Sequence, residues 1–453
     1  MRNIGIDVDS LTLLDQIVRK LSDGFAGLPV VDDGQGDLET MRPVLEEVAS
    51  RLTDNYPYFH PLYAGQMLKP PHPIARLAYM LSLYINPNNH ALDGGRASSA
   101  MEKEAVAEIA AMFGWDQYLG HLAGGGTMAN LEALWVAGRS HPDRMVLAST
   151  QAHYTHERLS QVLHLPFRKV PVDRFGRMDL DGLQRILDEE QVGTVVATIG
   201  TTATGAVDPL PRLLKLRDRY HFRIHADSAY GGYFRLVDSL PSATREAFDL
   251  LGEVDSIVVD PHKHGLQPYG CGCILFKDPS VGGFYKHDSP YTYFSSDELH
   301  LGEISLECSR PGAAAVALWA TQKLLPLERK GTFASHLAAG RNAAIELYHL
   351  IAADSRFLTA FPPELDIVIW LPKAASASKA SNLSRQLFEQ AAKHHLHLAL
   401  AEIPEHFFDL EKAGMDRDRT TLTCLRSVLM KPEHDSWVGQ IWTIVCQCLN
   451  ELD

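Results

Sequence analysis

The sequence predicts an α/β protein, with a mainly parallel sheet covered by helices on both faces and then a smaller C-terminal α/β domain. Three observations predict it. Short continuous apolar runs at 145–148, 194–199, 222–226, 257–259 and 273–276 read as strands buried on both faces, since a strand with one wet face would alternate. Amphipathic segments such as 180–189 and 210–217 separate most of these runs, the rhythm of helices crossing between parallel strands. After about residue 330 the pattern changes to helices at 332–350 and 383–394, interleaved with strands at 366–371, 396–401 and 421–429.

The N-terminal part fits neither sheet. Leu11, Leu14, Ile17, Val18 and Leu21 recur at helical spacing, and Pro57, Pro61, Pro70, Pro71 and Pro73 then break the chain repeatedly. The expected division is therefore a helical, proline-rich segment at 1–85, a large domain at 86–330 and a small domain at 331–453.

Composition narrows the partners. Of 453 residues, 45% are hydrophobic and 22% charged, as in a globular protein with a sizeable core. A net charge of −14 argues against nucleic acid or an anionic membrane as the main partner. Cys271 with Cys273, and Cys446 with Cys448, are spaced too tightly for the usual zinc-ligand pairs, and their apolar neighbours predict buried, reduced thiols. Met1-Arg-Asn-Ile-Gly5 lacks the apolar core of a secretion signal, and no apolar run approaches the ~18 residues of a membrane span. The cytoplasm is the expected compartment.

In the large domain, chemistry-bearing residues gather where strands should end, the edge at which open parallel sheets bind ligands. Lys263, in Asp260-Pro-His-Lys263, lies between the runs at 257–259 and 273–276. A lysine withdrawn from water becomes an amine nucleophile able to form a Schiff base, although a solvated loop lysine is the plainer alternative. Gly124-Gly-Gly-Thr127 runs directly into a helix pattern, so its N–H groups can cradle an anion, or it is a turn with Thr127 as helix cap. Asp227, in His225-Ala-Asp-Ser-Ala-Tyr-Gly-Gly232, closes a predicted strand and either caps a turn or answers a buried cation. A metal held by His225, Asp227, His262 and His264 is a weaker alternative, lacking a helical ligand pair. His153 follows the strand at 145–148, and the hydroxyl-rich Gly200-Thr-Thr-Ala-Thr-Gly205 follows the one at 194–199. An anion nest, a strand-end carboxylate and a lysine amine together are what pyridoxal 5′-phosphate requires: the lysine takes its aldehyde, the carboxylate its ring nitrogen and the helix start its phosphate.

These residues, above all Asp260-Pro-His-Lys263 preceded by His225-Ala-Asp-Ser-Ala-Tyr-Gly-Gly232, resemble the group II pyridoxal-phosphate-dependent amino acid decarboxylases, whose members act on aromatic amino acids, tyrosine, glutamate or diaminobutyrate. The resemblance runs from about Tyr56 to Pro432. It implies the fold type I, aspartate-aminotransferase-like architecture and a homodimer with active sites at the subunit interface, the N-terminal segment embracing the partner. It further implies that Lys263 anchors the cofactor, Asp227 pairs with the pyridine nitrogen, and Ala229 and His153 flank the ring. Gly125, Gly126, Thr127 and His262 would lie near the phosphate, and Thr202 beside the ring. The family's proton donor is a tyrosine roughly 29 residues beyond the lysine, which here leaves Tyr291 and Tyr293 open, Tyr291 preferred because it follows Pro290. Phenylalanine at that position would favour an aldehyde product, so tyrosines point to simple decarboxylation. Arg310 and Arg426 also match family arginines, with structural roles as the alternative. An aromatic substrate is favoured over an acidic or diamino acid, with His90 and Arg96 as candidate clamps for an acidic side chain.

Overall fold

The computed structural model describes residues 5–30, 37–286 and 299–452. Its first helices are α1 (Ser10–Asp23), α2 (Leu38–Leu52) and α3 (Pro73–Ser82). Pro73 sits in the first turn of α3, where a missing N–H leaves no bond unmade. α1 buries only Leu14, and α2 buries nothing. Leu38, Met41, Leu45, Val48 and Leu52 of α2 instead form an exposed apolar stripe at heptad-like spacing. α4 (Leu92–Met112) is the first helix with a well-buried face, carried by Ala105, Val106 and Ile109.

The larger sheet comprises β1 (Leu119–Ala123), β2 (Met145–Ser149), β3 (Phe167–Val170), β4 (Val192–Thr198), β5 (Arg223–Asp227), β6 (Ser256–Val259) and β7 (Gly272–Phe276), in the order β1-β7-β6-β5-β4-β2-β3. β6, β5, β4, β2 and β3 run parallel, while β7 and β1 add antiparallel strands at one edge. All seven residues of β4 are buried, as its unbroken apolar run requires. Two strands were not expected. In β1, Gly120 and His121 interrupt the apolar pattern, and the strand exists through its pairing with β7, with His121 Nε2 3.0 Å from the buried Glu132 carboxylate. β3 is an edge strand whose Arg168 and Lys169 face solvent. Helix α5 (Gly126–Ser140) follows β1, and α6 (Thr155–Val162) follows β2.

The smaller sheet is antiparallel throughout: β8 (Phe357–Thr359), β9 (Ile367–Pro372), β10 (Ala399–Pro404) and β11 (Thr421–Val428), ordered β10-β11-β9-β8. Alternation along β9 explains how both faces are buried. Ile367, Ile369 and Leu371 join the core that runs beneath the larger sheet, while Val368 and Trp370 pack with helices Thr332–Ala353 and His434–Leu452. The strand expected at 396–401 starts later, at Ala399, and the three-residue β8 carries too short a pattern to be read.

All six cysteines are free thiols. Five are buried or half-buried as expected, but Cys308 is exposed, because the chain there passes over the surface rather than through a strand.

Candidate active site

The cradle at the start of α5 depends on two glycines. Gly125 has φ 144°, open only to a residue without a side chain, and a Cβ on Gly126 would lie 2.6 Å from Asp260 Oδ2. Gly125 occupies the cap position and Thr127 lies inside the first turn, so Thr127 is not the helix cap that the sequence allowed. Gly124 N donates to Glu307 Oε2 at 3.0 Å, so this nest already takes one acidic oxygen.

Asp227 ends β5, in register with Thr198 of β4 and Val258 of β6. It is 5% exposed; its Oδ2 lies 2.7 Å from His156 Nε2 on α6, and its Oδ1 accepts from Ala229 N at 3.2 Å. Burial by itself would raise this carboxyl. The hydrogen bond and charge of His156, with His225 and Lys263 nearby, outweigh burial and hold it well below the usual carboxylate range. Asp227 is thus a fixed negative charge at neutral pH. His225 is tied to Asn130 Oδ1 at 2.8 Å and Ser256 Oγ at 2.9 Å, and burial pushes it down to about 3. Its ring nitrogens are committed to the core, and no metal-binding cluster occurs among the described residues.

Lys263 lies in the loop between β6 and β7. Its apolar flanks predict a lysine lodged between core strands; instead its side chain is 21% exposed and its Nζ lies 3.1 Å from Asp260 Oδ2. The loop turns the side chain out of the sheet into a cavity wall, and Asp260 supplies a counter-ion. Asp260 Oδ1 is buried without a hydrogen-bond partner. His262 Nδ1 is 2.8 Å from Cys271 O, and His153 Nδ1 is 2.8 Å from Thr155 Oγ1; burial, first of several influences, lowers both imidazoles.

A cavity of about 490 Å³ brings together Gly125, Gly126, Thr127, His153, Thr202, Asp227, Ala229, His262 and Lys263. Tyr291 and Tyr293 lie outside the described residues. Sequence reasoning assigned no role to His156 or Asp260. His156 lies in the first turn of α6, three residues after His153, and Asp260 stands three before Lys263. Arg310 is a structural residue, buried 2.9 Å from Glu102 and tying the 86–102 segment to the chain beyond 300. Arg96 is exposed.

Residues 37–371 match the model of the pyridoxal-dependent decarboxylase conserved domain. The chain belongs to this family. It is 26% identical to an L-tyrosine decarboxylase of Enterococcus faecium over 78% of this chain and 76% of that one. It is 31% identical to a probable L-tyrosine/L-aspartate decarboxylase of Methanothermobacter thermautotrophicus over 57% and 70%. Among solved structures, mouse CSAD aligns with TM-score 0.77 at 20% identity, covering 95% and 91% of the two chains. Oryza sativa TDC, solved with PLP and tryptamine, aligns with TM-score 0.77 at 18% identity over 99% of both.

The decarboxylase therefore has the fold type I architecture, with pyridoxal 5′-phosphate as its cofactor. Its cavity fits that group. A helix start whose Gly125 and Gly126 leave no side chain over the backbone N–H groups suits the phosphate, a carboxylate held ionised at the end of β5 suits a protonated ring nitrogen, and a lysine at the wall suits the aldehyde.

Proposed function

We propose that the preferred substrate of this pyridoxal-phosphate-dependent amino acid decarboxylase is an aromatic L-amino acid of the tyrosine type, released as the amine and CO2. The carrying observation is the charge of the cavity. Among the described residues lining it, Lys263 is the only lysine and there is no arginine, and His153 and His262 are both held toward the neutral form. The described lining therefore offers no fixed cation to a side-chain carboxylate, which favours an uncharged side chain over aspartate or glutamate. Relatives named for tyrosine support the same choice.

Bound pyridoxal 5′-phosphate supplies an electron sink for the pair left at Cα when the bond to the carboxylate breaks. In this reading Lys263 anchors the aldehyde, and Asp227, charged and braced by His156, keeps a proton on the ring nitrogen. Gly125, Gly126, Thr127 and His262 hold the phosphate, His153 and Ala229 confine the ring from either side, and Thr202 borders it. A phenol, from Tyr291 or Tyr293 on the register of the sequence, delivers the proton to Cα. The exposed stripe of α2 and the 1–85 segment make the contact with a second copy, giving a homodimer with shared active sites.

An amino acid panel scored for CO2, amine, aldehyde and peroxide tests this. Tyrosine or a close aromatic analogue should give the highest kcat/KM with amine as product. Aspartate or glutamate as the best substrate would overturn the aromatic choice, and aldehyde with peroxide as dominant products would overturn simple decarboxylation. Light scattering should give twice the chain mass, and Leu45→Lys with Val48→Lys should shift it toward one.

A further inference from the structure

The larger of the two main cavities is not the one that holds Lys263. It has a volume of about 600 Å³ and lies among the proline-rich 59–76 segment, helix Thr332–Ala353 and the 431–437 turn, with His264 in its wall. Two ammonium groups line it. Lys431 is only 4% exposed; its Nζ donates to Tyr63 O and sits 5.2 Å from the Tyr63 ring centre. Lys69 Nζ donates to Met430 O at 3.2 Å. Each ammonium carries three N–H groups, and a single carbonyl bond leaves donors over.

Neither lysine forms an ion pair among the described residues. Of the acids around the cavity, Asp7 holds Arg76 at 2.7 Å and Asp366 accepts from Tyr230 at 2.6 Å and lies 3.2 Å from His264, while Glu433, in the lining but exposed, forms an ion pair with neither lysine. His60, His72, His336 and His264 supply the remaining polar lining, and Phe59, Phe333, Leu337 and Trp437 the apolar wall. A charge buried without a partner is costly, and two cations sharing one cavity compound that cost. We propose that this cavity is a binding site for a small organic anion, a phosphate or carboxylate head on a short apolar body, with Lys431 and Lys69 as its charge partners. The head takes the spare N–H donors and the body takes the aromatic wall.

The lysines' own state agrees. Burial, with the charge of Lys69, brings Lys431 down to about 7, and burial brings Lys69 down to about 8, against partial opposition from Glu433 and, for Lys69, Asp366. His60 and His434, on which the charge of Lys431 acts, are themselves lowered by burial and bring no negative charge. An anion between the lysines would restore their protons, so binding should draw protons from solution.

Calorimetric titration of the cofactor-loaded enzyme tests the proposal, since the loaded cofactor blocks the glycine nest. The probes are phenyl phosphate, phenylacetate and inorganic phosphate, at about pH 7.5 in two buffers of different ionisation enthalpy. At least one aryl anion should bind once per chain with proton uptake and tighter than inorganic phosphate; the better of the two identifies the head group. Lys69→Met with Lys431→Met should weaken it at least about tenfold, or about 1.4 kcal/mol, with thermal unfolding as the folding control. His336→Trp, which fills the cavity and leaves both lysines in place, should also abolish binding. Absence of saturable binding, binding unchanged in either variant, or binding abolished by a saturating amino acid substrate would overturn the proposal.

Discussion

The two cavities differ less in size than in how their charges are matched. In the 490 Å³ cavity Asp227 has His156 at 2.7 Å and Lys263 has Asp260 at 3.1 Å, so these two charges are held before any ligand arrives. In the 600 Å³ cavity Lys69 has a backbone carbonyl and Lys431 a backbone carbonyl and the Tyr63 ring, but neither has an acidic partner among the described residues. Volume therefore does not locate the chemistry; preorganised charge at the strand ends does. Removing one member of a matched pair should injure the protein, whereas removing an unmatched charge should relieve it.

The largest break is expected at Lys263. Lys263→Ala should lose the visible absorption of the cofactor-loaded enzyme and at least about 10⁴-fold in turnover; an unchanged spectrum would mean that another group holds the cofactor. Asp227→Asn should still take up cofactor but lose about 10²–10³-fold in kcat, the worth of a broken buried charge pair. Normal turnover would remove Asp227 from the ring nitrogen. His156→Leu acts through Asp227: loss of a hydrogen bond to a charged group, about 1.5–3 kcal/mol, should lower kcat tenfold or more. It should also move the acid limb of the pH profile upward, because the strongest influence opposing burial at the Asp227 carboxyl is then gone. A fall in kcat with an unmoved acid limb would make His156 merely structural.

Smaller effects separate the regions by stability. Burial lowers His225 and His434 from 6.5 to about 3 in the folded chain, so the unfolded chain takes up their protons first as pH falls. Their stabilisation is complete above about pH 6.5 and declines from there toward 3, by at most about 1.4 kcal/mol per pH unit for each site. Urea midpoints should fall across that window; a flat response would mean that the two imidazoles charge freely. Lys431 is lowered from 10.5 to about 7, so its cost is fully present below pH 7 and fades as pH rises toward 10.5. Lys431→Met should accordingly stabilise the ligand-free protein by about 1 kcal/mol below pH 7, the difference closing in alkali. Destabilisation there would show that the ammonium already has a partner.

Much of this site was legible in the chain because cofactor groups demand residue types at strand ends, and continuous apolar runs mark where those strands stop. Nine of the expected site residues line one cavity for that reason. His156 and Asp260 were not legible as functional. Nothing in a lone histidine or a pre-proline aspartate says which carboxylate or ammonium it will face, and that depends on α6 packing against the end of β5 and on the turn of the β6–β7 loop. β1 was hidden likewise, since its pairing with β7 supplies what its own sequence lacks.

The sequence by itself determined the parallel sheet, the order of the chemical groups and the cofactor, because periodicity, glycine and a strand-end lysine act locally. Only the tertiary structure decided which charges are matched. Counter-ions and desolvation depend on residues as distant in the chain as Lys69 and Lys431, or His156 and Asp227, which meet only when the chain has folded.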